Sequence, residues 1–76
     1  MNFFPKLIDL SDIYIPYCDP GDFVTLETQY HLNRGEYVVH NSRIFKVILA
    51  SHLHTLTSFE CHAFLQFVGK VRLKNV

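Results

Sequence analysis

The sequence predicts an all-β fold, a small antiparallel β-barrel or compact sandwich of five to six strands. Three observations lead there. β-Branched and aromatic residues dominate the chain, and such side chains suit a pleated, half-buried surface. Turn signals recur at short intervals, while helix signals are scarce. Apolar and polar residues alternate with period two along several segments, the mark of strands with one buried face.

Taken in order, Leu7 to Ile15 reads as the first strand, and its alternation slips between Leu10 and Ile13. A bulge near Ser11-Asp12 accounts for such a slip. PYCDPGD (16–22) breaks the pattern, since proline presets φ and glycine accepts positive φ. From Phe23 to Leu32 the alternation is long. Val24, Leu26, Tyr30 and Leu32 share one face with Thr28, and Thr25, Glu27, Gln29 and His31 share the other, where Phe23 is the apolar exception.

Asn33-Arg34-Gly35 turns the chain. Tyr37 to His40 and Ile44 to Ala50 then make two strands around Asn41-Ser42, a hairpin signal because asparagine tolerates the left-handed region. The second arm, IFKVILA, is apolar on both faces except at Lys46 and so predicts a central strand. SHLHTLTSFE (51–60) fits either a loop or a single helical turn. CHAFLQFV (61–68) reads as a strand with Ala63, Leu65 and Phe67 on one side. Gly69 permits a bend, and KVRLK closes the chain as an edge strand with Lys70, Arg72 and Lys74 on one face. Charges there discourage unwanted edge pairing.

Length and composition limit the function. A chain of 76 residues makes a single domain, 1–76. A domain of that size buries only about 60% of the surface of its unfolded chain. Apolar residues are 49% and charged residues 18%, too apolar for disorder and rich enough to suggest that another chain covers part of the surface. No run reaches the ~18 apolar residues of a membrane span, so no membrane partner is expected. MNFFPKLIDLSD lacks the long apolar stretch and cleavage site of a secretory signal, so cytosolic production is expected. Net charge is zero but unevenly spread. Residues 1–33 hold one lysine against five acids, and residues 34–76 hold six basic residues against Glu36 and Glu60. Opposed halves suit self-association, and they also intermix readily once a chain folds.

Five histidines invite a metal reading. His52 and His54, two residues apart on extended chain, face the same way. With Cys61 and His62 they form a candidate zinc set, although the spacing matches no standard zinc module. No metal or cofactor is therefore assigned. Cys18 and Cys61 are expected to be free, buried thiols. A Cys61–histidine catalytic pair lacks a recognisable orienting group and oxyanion hole, so the chain reads as non-enzymatic. Nucleic-acid binding draws on Phe45, Phe64, Phe67 and Tyr37 as stacking platforms and on Arg43, Lys46, Lys70, Arg72 and Lys74 as charge. Zero net charge and core-like positions for the aromatics weigh against it.

The order FVTLETQYHL, LNRGE, YVVHNSRIFKV and ECHAFLQF, spanning residues 23–67, resembles the small head–tail joining (neck) proteins of lambda-like tailed phages. Its 51–60 segment departs from the Asp/Gly-rich turn usual in that family. The resemblance implies a structural protein made in the host cytoplasm and built into the virion. It also implies contacts with other virion proteins and with further copies in a ring, through heterologous interfaces. The contact residues it points to are Arg34, Glu36, Asn41, Ser42 and Arg43 at the two hairpin ends, with Lys70, Arg72 and Lys74 as a basic face. GEYVVHNSRIFKV followed by a terminal VRL also resembles the single-stranded DNA-binding proteins of filamentous phages. That second likeness implies a nucleic-acid partner. A small phage-encoded inhibitor of a host enzyme is a third class, for which no motif names a target.

Overall fold

The computed structural model describes residues 7–71. Its strands are β1 (Leu7–Asp9), β2 (Phe23–Thr28), β3 (Tyr37–His40), β4 (Arg43–His54) and β5 (Phe59–Lys70). They form one five-stranded sheet in the order β1-β3-β4-β5-β2. The described residues are thus all-β with five strands. β4 takes the central place that its two-sided apolar pattern predicts.

β3–β4, β4–β5 and β5–β2 pair antiparallel, whereas β1 runs parallel to β3. The parallel pair was not foreseen, and its cause lies just after Asp9. Ser11 donates from both N and Oγ to Asp9 Oδ1, at 3.0 and 2.7 Å, and Ile13 N donates to Leu10 O at 3.1 Å. This side-chain turn ends the strand, as aspartate commonly does by bonding the backbone two residues on. The slip expected to mark a bulge is therefore a strand terminus. Residues 10–22 form a strap that buries Leu10, Ile15 and Cys18 against the sheet. The strap returns to β5 through Gly21 N→Phe67 O and Phe67 N→Asp22 O, both 2.9 Å.

β2 stops at Thr28, short of the expected Leu32, because Thr28 Oγ1 accepts from Tyr30 N at 3.1 Å. The hairpin at Asn41-Ser42 forms as expected, with φ of 48° and 67° at the two residues. Residues 51–60 are neither a loop nor a helical turn. β4 continues to His54, Thr55–Ser58 makes the turn and β5 begins at Phe59. Thr55 N donates to Ser58 O, and Ser58 N donates to Thr55 Oγ1, each at 2.9 Å. Lys70 ends β5, and among the described strands β1 and β2 lie at the sheet edges. The edge strand expected from KVRLK, with Arg72 and Lys74, lies outside the described residues.

The register sorts side chains onto two faces. The inner face carries Val38, Phe45 and Phe67, then Val47 with Leu65, then Ala63 with Leu26, then Cys61 with Thr28. These are buried, and Leu10, Ile15, Cys18 and Leu32 from the irregular segments complete the core. The second layer expected of a small sandwich is supplied by the strap and by Leu32, not by more strands.

Candidate protein-contact surface

Among the described residues, nothing covers the other face of the sheet in this way. Its middle rows are Tyr37–Lys46–Gln66–Phe23 and Leu49–Phe64–Thr25, followed by Ser51–His62–Glu27 and the pair Leu53–Glu60. Phe23, Leu49, Leu53 and Val68 are 50–56% exposed, large values for apolar side chains within strands. Phe23 stacks on Phe64 with ring centroids 4.9 Å apart and planes 2° from parallel. That stack is a cross-strand aromatic pair on the diagonal, since Phe23 registers with Gln66 and Thr25 with Phe64.

Charge brackets this apolar centre along the strands. At one end, His62 stands between two carboxylates. Its Nδ1 lies 3.7 Å from Glu27 Oε1 and its Nε2 lies 3.3 Å from Glu60 Oε2. Glu27, Glu60 and His62 each bring a ligand-type atom within 4.8 Å of the others. All three are exposed, and the imidazole bridges the carboxylates rather than closing a cage with them. Toward the opposite end sits Lys46, and Arg34 lines a shallow hollow beside it.

The five hairpin-end residues do not share one surface. Arg34 is exposed in the turn before β3, whereas Asn41 and Ser42 are exposed beyond its far end. Glu36 is turned back on its own loop, where its Oε1 accepts from Asn33 N at 2.6 Å. Arg43 is engaged internally. Nη1 donates to Pro16 O at 3.1 Å, and Nη2 to Ile15 O at 3.0 Å and to His40 Nδ1 at 2.7 Å. Of the basic face, Lys70 is exposed at the end of β5, and Arg72 and Lys74 lie outside the described residues.

The histidines and cysteines separate in the same way. Alternation sends Cys61 into the core and His62 to the outer face, so the set His52, His54, Cys61 and His62 is split between two sides. His52 Nε2 donates to Leu32 O at 2.5 Å, and Cys61 Sγ points to that oxygen at 3.8 Å. Each group spends its hydrogen on one carbonyl, so the imidazole is not aimed at the thiol as a base. His52 and His54 instead join His31 around Phe59, with ring centroids 4.2 Å apart for His31–His52 and 4.8 Å for His54–Phe59. Cys18 and Cys61 are both buried and free.

The sequence reading missed the outer face as a unit, although its signals were present. Phe23 is the apolar exception on the polar side of β2, and IFKVILA places Ile44 opposite the core positions, whereas simple alternation groups Leu49 with Phe45 and Val47 and only the bulge between Val47 and Leu49 turns it outward. Together they describe a face, and only the register shows that they are neighbours.

No family model, curated protein or solved structure matches the chain. The fold is all-β, and among the described residues its sheet has one packed face and one open face with exposed apolar side chains.

Proposed function

We propose that this protein is a non-enzymatic assembly module that works through protein–protein contacts. Its particular task is head–tail joining in a tailed phage, made in the host cytoplasm and then built into the virion with other virion proteins. The observation that carries the protein-contact reading is the uncovered apolar face of the central strands. Contiguous exposed apolar surface beyond a few hundred Å² marks interaction sites in soluble proteins. The resemblance of residues 23–67 to neck proteins supplies the phage setting.

One observation favours a second reading, single-stranded DNA binding. The Phe23–Phe64 stack is exposed beside Lys46, and bases stack on such platforms next to basic groups. Fluorescence anisotropy of a labelled oligo-dT, titrated with protein at low and moderate salt, decides between them. The protein-contact reading expects a flat titration even at low salt, where phosphate contacts are strongest. Tight, salt-sensitive binding that Phe64→Ala weakens overturns it.

A further inference from the structure

We propose that in solution the outer face is covered by a second copy of this chain. The two sheets pack face to face about a two-fold axis that runs across the strands near the Leu49–Phe64–Thr25 row. This rests on the protein-contact reading and not on the phage setting.

Three observations carry it. The first is size. Four strands at about 4.8 Å spacing and about eight residues at about 3.3 Å cover roughly 500 Å² in projection. Side chains standing on that face raise its accessible area toward the about 800 Å² per partner of a standard interface. The second is composition. Leu49 and Phe64, with Phe23 stacked on Phe64, form an apolar centre, the rows of Lys46 and of His62 and Glu27 flank it, and Leu53 and Val68 extend the apolar surface beyond those rows, so apolar contact is interleaved with charge that orients it.

The third observation selects the partner and the axis. The row carrying Lys46 lies to one side of Leu49 and Phe64, two residues away along β5 and three along the bulged β4, and the row carrying His62 and Glu27 lies two residues to the other. A two-fold axis across the strands exchanges these ends. It lays the Lys46 row of each copy over the carboxylate-bearing row of the other. An axis along the strands would set each carboxylate end, with Glu27 and Glu60, over the same end of its partner. The face is thus complementary to itself in one orientation and repulsive in the other, as an isologous contact requires. Phe64 and Leu49 lie closest to the axis, where each meets its own equivalent.

The test is sedimentation velocity on the full chain from micromolar to several hundred micromolar. The wild-type protein is expected to reach twice the protomer mass. Leu49→Lys sets two like charges at the axis and is expected to leave a monomer with an unchanged circular dichroism spectrum. Leu49→Ser is the milder variant should the lysine disturb folding. Lys46→Glu is expected to weaken the dimer at least tenfold at low salt, and adding Glu27→Lys and Glu60→Lys is expected to restore it. A wild-type monomer at every concentration overturns the proposal, as does a dimer indifferent to both Leu49 variants. Failure of the charge exchange to restore the dimer overturns the axis. A monomer here leaves the protein-contact reading to the oligo-dT titration, which fails on a different signal.

Discussion

Arg43 shows how one side chain can be mistaken for a contact residue. At the tip of a hairpin it reads as an exposed charge, yet its guanidinium bonds the carbonyls of Ile15 and Pro16 and the ring of His40. Because Arg43 donates to Nδ1, the neutral His40 ring carries its hydrogen on Nε2, which donates to Ile13 O at 2.6 Å. The pair fastens the strap to the β3–β4 hairpin. Arg43→Met should lower stability by about 1–3 kcal/mol, since it strips partly buried acceptors of their donor. Arg34→Met should change it by less than about 0.5 kcal/mol. Urea denaturation of both variants checks this, and equal effects would refute the internal role of Arg43. Three exposed groups contribute to the response to pH: Asp9, Tyr30, and Tyr17, whose hydroxyl is raised above its ordinary 10.0 by its hydrogen bond to Asp19. The Ser11 hydroxyl, and then its backbone N–H, hold the Asp9 carboxyl below its ordinary 3.8. Asp9 therefore adds stability that is present above that value and fades as pH falls through its lower folded value. The hydrogen bond to Asp12 raises the Tyr30 hydroxyl above its ordinary 10.0. Its contribution is complete below 10.0 and is lost as pH rises through the folded value. Ser11→Ala should flatten the acid limb of a melting-temperature profile and Tyr30→Phe the alkaline limb, each leaving the other limb in place.

Turns decide where the elements end, and they also mark what the sequence could and could not disclose. The Asn41-Ser42 turn was legible because asparagine advertises positive φ, and Gly35, at φ 89°, was legible for the same reason. The Thr55–Ser58 turn was not. It contains no glycine, proline, asparagine or aspartate, and its geometry is set by two hydroxyls whose partners become visible only in the fold. The strap was hidden for a related reason. Leu10 and Ile15 lie in a run that reads as one strand once a bulge absorbs the slip at Ser11-Asp12, and only the Asp9–Ser11 bonds show that the chain turns there instead. The outer face was legible at Phe23 and Ile44 but not at Leu49 or as a surface, because a bulge in β4 turns Leu49 outward and adjacency across strands follows from register. Both left-handed positions give tests. Ser42 sits at φ 67° with a Cβ, a conformation that costs roughly 1–2 kcal/mol. Ser42→Gly should therefore raise the melting temperature by a few degrees, less than full relief because glycine loses more entropy on folding. At Gly35 an added Cβ would meet nothing within 4 Å, so Gly35→Ala should destabilise through backbone strain alone, by about 1 kcal/mol. Differential scanning calorimetry reads both, and a fall in the Ser42→Gly melt would sink the strain argument.

At the scale of the molecule, the two cysteines report on two layers of unequal strength. Cys61 is fully buried in β5, with β4 on one side and β2 on the other. Exposing its thiol requires breaking the central ladders. Cys18 is also buried but belongs to the strap. The strap is held by the Arg43 and His40 bonds, by Leu10 N→Val39 O, and by the pair of backbone bonds between 21–22 and Phe67. Proteins open in cooperative units, and a layer of irregular chain with few ladder bonds opens at lower free energy than a central strand pair. In native buffer, pulse labelling with a thiol-specific reagent, read by mass spectrometry, should therefore modify Cys18 faster than Cys61. Arg43→Met should widen that gap, because it loosens the strap while the β4–β5–β2 ladders persist. Denaturant should bring the two rates together as whole-chain unfolding overtakes local opening. Equal labelling rates in native buffer would mean that strap and sheet open as one unit. Arg43 would then stabilise the whole fold instead of pinning a separable layer. If Cys18 leads, the strap can open while the outer face stays intact. A protein with that order of strengths keeps its outer face fixed while its opposite side yields.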